Sequence, residues 1–239
     1  MINNILISDR LLNAGNLPQD MPYLLLPDNI QDTIFAAVNS QFPADSKDGD
    51  RLWNQYSEAL PKLDKLLRSY RDYLENEYGM WAYISAPFTK AIADFVGNDM
   101  VLEVMAGNGY ISKGLRNNNV NVNVTDSLAW VNENETGKHL VTEVEKLDAL
   151  AAFHKYEDTV DTIIMCWSPD GVPVDWELLQ AIRQSPRKIR LIVIGEKDGA
   201  TNSKEFWQNA KFVDLEAAKQ LNLHHQPFDL IKDQLYIVE

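Results

Sequence analysis

The 239-residue sequence predicts an α/β fold: a seven-stranded, mostly parallel sheet that closes in an antiparallel C-terminal hairpin, with a helical N-terminal extension. Three observations predict it. After residue 98, short apolar runs rich in β-branched residues alternate with segments of helical period, the pattern of strands joined by crossover helices. The last two strand-like runs are separated only by "DLIKD", too short for a crossover, so they are expected to pair antiparallel. Before residue 98 the apolar residues recur only at helical spacing.

The elements follow in chain order. Residues 29–42, "NIQDTIFAAVNSQF", set Ile30, Ile34, Phe35 and Val38 on one helical face, and "PADSKDGD" reads as a loop. From Asp50 to Tyr78, Leu52, Trp53, Tyr56, Leu60, Leu63, Leu67, Tyr70 and Leu74 recur every three or four positions. This spacing predicts a long amphipathic helix, bent at Pro61 and stopped by Gly79. A coiled-coil dimer seam fits less well, because the stripe is rich in aromatics and interrupted by proline. Ser85 or Ala86 ahead of Pro87 opens a further helix, with Phe88, Ile92 and Phe95 on one face and Gly97-Asn98 at its end. Strands are then expected at Met100–Met105, Val120–Thr125, Leu140–Val144, Thr159–Cys166, Lys188–Gly195, Leu223–Phe228 and Gln234–Val238. Helical patterns occupy 110–117, 128–135, 149–156, 175–184 and 203–220. Residues 1–90 thus read as a helical cap and 91–239 as the sheet domain. A parallel sheet covered on both faces binds ligands outside the carboxyl ends of its strands, so the candidates are sought there.

Composition narrows the function classes. Hydrophobic residues make up 45% and charged residues 24%, ordinary values for a globular chain, and no apolar stretch reaches the length of a transmembrane helix. The N-terminus "MINNILISDRLLNAG" lacks the basic region and cleavage pattern of a secretory signal, and the single Cys166 has no partner in the chain. A cytoplasmic location without membrane attachment is expected. The net charge is −13, spread over both parts: 13 acids against 8 bases in residues 1–98, and 22 against 14 in residues 99–239. Such a chain repels a phosphate backbone, and no nucleic-acid partner is expected. Four histidines and one cysteine show no metal-ligand spacing, and His224-His225 would point to opposite faces of a strand, so no metal site is expected.

The chemistry centres on "VLEVMAGNGYISKGL", residues 101–115. Gly107 and Gly109 sit in a strand-to-helix turn, where missing side chains let backbone N–H groups approach a ligand. Met105, Ala106 and Asn108 complete the turn. A dinucleotide fingerprint needs a third glycine where Ser112 stands, and the carboxylate of Glu103 would repel a pyrophosphate yet suit a cationic ammonium.

These residues resemble the class I S-adenosylmethionine-dependent methyltransferases, whose first motif reads acidic-x-Gly-x-Gly-x-Gly on a Rossmann-like sheet. Glu103, Gly107 and Gly109 match it, while Met105 stands where the first glycine is usual. The resemblance implies that Asp126, closing "NVNVNVTD" with Ser127 beside it, accepts hydrogen bonds from ribose hydroxyls. Asp148 would reach the adenine amino group, with the backbone of Ala149 serving the ring; Asp148 also reads as a helix N-cap. Cys166 and Trp167, closing the fourth strand, would border the methionine moiety. Next to them Ser168, and Glu196 at the end of the fifth strand, face the acceptor, and Asp170 is the candidate base. Trp81 and Tyr83, just before the core, are candidate lid aromatics over the cofactor. The expected function is methyl transfer from S-adenosylmethionine to a small-molecule or protein acceptor. A non-catalytic relative that binds the same cofactor is the second reading, and an NAD(P)-dependent oxidoreductase the third.

Overall fold

The computed structural model describes all 239 residues. Five helices come first: α1 Ile2–Asn13, α2 Ile30–Gln41, α3 Lys47–Arg68, α4 Tyr70–Tyr78 and α5 Ala86–Val96. The sheet region follows as β1 Val101–Val104, α6 Tyr110–Asn117, β2 Val122–Asp126, β3 Glu145–Lys146, α7 Ala149–Tyr156 and β4 Thr162–Cys166. It continues as α8 Val174–Gln184, β5 Arg190–Gly195, α9 Lys204–Asn209, β6 Phe212–Val213, α10 Leu215–Leu221 and β7 Gln234–Val238. The strands form one sheet in the order β3-β2-β1-β4-β5-β7-β6. Strands β1 to β5 pair in parallel, and β7 runs antiparallel to both β5 and β6. The fold is thus the expected Rossmann-like one, and its reversal of strand order falls at β1/β4, the place where such sheets hold ligands. No helix is long and apolar enough to cross a membrane.

Several elements differ from the sequence reading, each for a physical reason. The long N-terminal helix does not break at Pro61, which lies inside α3; it breaks at Ser69, whose hydroxyl bonds the carbonyl of Leu66 and competes with the helical ladder. Helix α1 was not foreseen. Residues 128–135 form only a short 3-10 turn at Ala129–Asn132. The third strand is Glu145–Lys146 rather than 140–144, because the chain before it crosses the glycine turn, with the amide of Val141 donating to the carbonyl of Asn108 at 2.9 Å. The expected terminal hairpin is replaced by a longer connection. Leu223–Phe228 is not a strand: its carbonyl at Phe228 accepts from Leu24 in the extension, and His225 stacks on Phe88 at 4.3 Å. The antiparallel partner of β7 is instead β6, two residues within the segment expected to be helical, with α10 between them.

Alternation along the strands divides the core between two faces. Leu102, Val104, Ile163 and Val193 point towards α7, α8 and α9. Val101, Ile164, Ile192 and Ile237 point to the other face, where they share one cluster with α5, α6 and α10. That cluster extends without interruption into Leu12, Leu24, Leu67 and Leu74 of the N-terminal segment. Helix α5 is the bridge: Ser85 caps it by accepting from the amide of Phe88, and Phe88 and Ile92 are fully buried between extension and sheet. Residue 90, where the sequence reading divides the chain, lies within α5.

Candidate functional site

Beyond the carboxyl ends of β1, β2 and β4 lies a cavity of about 440 Å³, bordered by residues 79–82 and Ile84 of the extension. Its size falls within the roughly 300–1,000 Å³ of small-molecule sites.

The glycine turn forms its floor. Ala106 donates its amide to the carbonyl of Thr125 at 3.1 Å, and Gly107, at φ 54°, donates to Asp126 Oδ2 at 2.8 Å. Met105 takes φ 53°, the left-handed geometry for which glycine is the usual residue. The turn therefore keeps its shape although the side chain departs from the pattern. Leu128 after β2 and Trp167 after β4 are also left-handed, at 54° and 52°. Three bulky residues in an unfavourable conformation at the ends of three adjacent strands concentrate backbone strain around the cavity. Gly109, at φ 83°, caps α6 and does not line the cavity; a Cβ there would lie 2.7 Å from Thr142, so its bareness serves the chain that crosses behind the turn.

Glu103 and Asp126 anchor the site. Glu103 is buried and accepts from the backbone amide of Ser112 at 2.9 Å and from its hydroxyl. Burial outweighs these bonds and pushes its carboxyl up to about 7. Between about pH 4.5 and 7 the folded chain keeps a proton there that the unfolded chain has released, so this group's contribution to stability declines as pH rises through that window. Glu103→Gln is therefore expected to be more stable than the native protein at pH 8 and indistinguishable from it below pH 4.5, as urea unfolding at the two pH values will show. Asp126 accepts from Gly107 and, at 2.6 Å, from the amide of Leu128. Burial raises its carboxyl, and the two backbone bonds oppose that rise.

The other expected residues divide into two groups. Ser127, Ala149 and Asp148 line the cavity, and Asp148 caps α7 through the amide of Ala151 at 2.9 Å, as its N-cap reading expects. Cys166, Trp167 and Ser168 form the wall beyond β4. Burial pushes the Cys166 thiol well above its usual value, which leaves it inert as a nucleophile. Trp81 borders the cavity, its ring 6.1 Å from that of Trp167 and its indole N–H donating to Thr136 at 2.9 Å.

Three candidates lie elsewhere. Tyr83 is buried, with its hydroxyl bonded to Ser8 and to the carbonyl of Gln19, and it anchors α1 rather than forming a lid. Asp170 is exposed on the turn after β4 and off the cavity wall. Glu196 spends its carboxylate on the amides of Ala200 and Lys232.

Two contributors were not legible in the sequence. Asn108 lines the cavity as expected, but its side chain is a brace: Nδ2 donates to the carbonyls of Tyr78 and Glu135, and Oδ1 accepts from Gly137 and His139. Behind Trp167, Arg71 of α4 forms a buried two-pronged pair with Asp229, at 2.6 and 3.0 Å, and donates to the carbonyl of Trp81. No local pattern links residues 71 and 229.

The ionic character of the cavity follows directly. Its wall contains Glu103, Asp126 and Asp148, and no Lys, Arg or His. Such a wall repels pyrophosphate and favours a ligand bearing positive charge.

The chain matches no family model and no curated protein. Among solved structures it is similar to a protein of the NADB-Rossmann superfamily from Streptococcus agalactiae, at 14% identity over 64% of this chain and 67% of that one, with a TM-score of 0.36. A protein described as a class I S-adenosylmethionine-dependent methyltransferase, from Listeria monocytogenes, is 14% identical over 99% of this chain and 84% of its own, with a TM-score of 0.40. Mitomycin 7-O-methyltransferase is 14% identical over 90% and 74%, with a TM-score of 0.33. The fold assignment rests on the sheet itself, on its strand order and its antiparallel β7.

Proposed function

We propose that the protein is an S-adenosylmethionine-dependent methyltransferase that acts on a small molecule or a protein side chain rather than on nucleic acid. The observation that carries this reading is the acid-lined, base-free cavity above the glycine turn. A ligand with an ammonium, a sulfonium and a ribose suits it; a dinucleotide, with its pyrophosphate, does not. The amide of Ser112, at the start of α6, is moreover already bonded to Glu103, and is not free to receive a phosphate.

The residues present fit that cofactor. Asp126, held by two backbone amides, retains lone pairs for ribose hydroxyls, as a carboxylate offers about four acceptor positions. Glu103 would face the ammonium, and Asp148 with the backbone of Ala149 the adenine. The indole faces of Trp81 and Trp167 would flank the sulfonium. Bound S-adenosylmethionine supplies an electrophilic methyl group. The protein's share is to hold the acceptor in line with that group and to keep water out, and the bordering segment of the extension serves both ends. That segment also favours a small acceptor. A non-catalytic binding role remains the second reading, because Asp170, the candidate base, stands off the cavity.

Calorimetry tests the reading. S-adenosylhomocysteine is expected to bind saturably, and NAD and NADP are not. Affinity should fall as pH drops below about 7, where Glu103 takes up a proton, and Glu103→Gln should remove that dependence. Asp126→Asn is expected to weaken binding by about 1–3 kcal/mol. Tighter binding of NAD than of S-adenosylhomocysteine would refute the proposal.

A further inference from the structure

The cavity has two chemically different ends. Because the sheet runs β3-β2-β1-β4-β5, Asp126 and Asp148, after β2 and β3, lie on one side of β1, while residues 167–174 and 200–201, after β4 and β5, lie on the other. The second end is firmly built. Pro169 and Thr201 form an antiparallel bridge, the amide of Asn202 donates to the carbonyl of Ser168 at 2.8 Å, and the indole of Trp207 bonds the carbonyl of Thr201 at 2.9 Å. Its wall is apolar: Trp167, Pro169, Val172 and Val174. It holds no carboxylate and no cation; the nearest guanidinium, Arg71, lies behind the Trp167 ring and is already matched by Asp229.

One unpaired polar side chain breaks this apolar surface. Ser168 is 1% exposed and lines the cavity, and its Oγ has no hydrogen-bond partner. Native proteins leave few buried polar atoms unbonded, and for a hydroxyl left unbonded on a cavity wall a ligand is a natural partner. An incoming charged group has nothing there to neutralise it, whereas a single uncharged heteroatom can bond the hydroxyl.

With the acceptor at the β4–β5 end, as the resemblance implies, the geometry points to an uncharged, largely apolar acceptor that offers one hydrogen-bonding heteroatom to Ser168 and carries neither carboxylate nor phosphate. This rests on the methyltransferase reading above and deepens it by naming the acceptor class.

The test uses the full chain saturated with S-adenosylhomocysteine, whose own binding is measured first by calorimetry on the native protein and on Ser168→Ala. Failure of that first step speaks against the cofactor reading, not against the subsite. Quinoline, naphthalene and quinoline-4-carboxylate are then titrated into the loaded protein. Quinoline should bind saturably and at least about tenfold more tightly than its carboxylate. Ser168→Ala should remove most of the advantage of quinoline over naphthalene while leaving S-adenosylhomocysteine binding intact. Val172→Lys, which adds a cation at the partly exposed edge of this end, should recover binding of the carboxylate. The inference is overturned if the carboxylate binds the native protein as tightly as quinoline, if Ser168→Ala leaves the preference for quinoline unchanged, or if neither neutral probe binds to protein that holds S-adenosylhomocysteine.

Discussion

Arg71→Met is expected to destabilise the protein by about 3–5 kcal/mol, because it strips the counter-charge from a buried carboxylate pair. The guanidinium is 8% exposed; it meets both oxygens of Asp229 and lies 4.0 Å from Asp233, which in turn has His225 at 3.3 Å and the indole N–H of Trp167 at 2.9 Å. The same side chain stacks over Phe228 at 4.6 Å and Trp167 at 5.2 Å. Methionine of similar length fills most of the volume and replaces none of the hydrogen bonds. Two acids would then remain buried with only His225, the Trp167 indole and backbone groups to balance them. Removing the stranded charge as well, in Arg71→Met/Asp229→Leu, should recover part of the loss, since an apolar pair of similar volume is tolerated better than half an ion pair. Because Arg71 also holds the carbonyl of Trp81, the single variant should loosen this border of the cavity and weaken S-adenosylhomocysteine binding. Urea unfolding of the native, single and double variants checks the argument; a loss under 1 kcal/mol in Arg71→Met would show that the network contributes little.

Asn108→Ala has the second largest expected effect, about 2–4 kcal/mol, or a fall in Tm of roughly 5–15 °C for a chain of this size. The amide uses its full bonding capacity, two donors and two acceptor positions, on four backbone groups from two segments, the end of α4 and the loop at 135–139, and ties both to the glycine turn. Alanine leaves the amide of Gly137 and the carbonyls of Tyr78 and Glu135 without this partner. Gly79, beside it at φ 58°, has room for no side chain: a Cβ there would lie 2.4 Å from Asn108 Nδ2 and 2.6 Å from the Glu135 carbonyl. The packing is too tight for another residue to take over. Thermal unfolding measures the effect, and an unchanged Tm would mean that the brace is redundant.

Both residues show where sequence reasoning reaches and where it stops. The β1–α6–β2 unit is legible because its signals are local: an apolar run, two glycines, and a second run that ends in Asp126. The same holds for β4, β5 and α5, the last through the Ser85 cap and Pro87. Strand β6 is two residues long, and nothing in "FV" distinguishes it from the helices on either side; its identity comes from pairing with Ile237 and Val238. The hairpin reading of Leu223–Phe228 fails because Phe228 packs on Tyr70 and Tyr83 of the N-terminal extension, a distant partner that periodicity cannot reveal. Glu196 and Asp170 were placed at the ends of strands, as the fold requires, but their turns direct them away from the cavity. Met105 shows the opposite case: a departure from the motif that the backbone absorbs.

The central claim is that Glu103, the glycine turn and Asp126 form a site for the adenosyl and amino-acid parts of S-adenosylmethionine. A crystal structure of the protein with S-adenosylhomocysteine tests it most directly. The account predicts the ribose hydroxyls within hydrogen-bonding distance of Asp126, the ammonium on the side of Glu103, and the sulfur directed towards Trp167. A ligand bound elsewhere, or one in this cavity with its ribose turned away from Asp126, would contradict it.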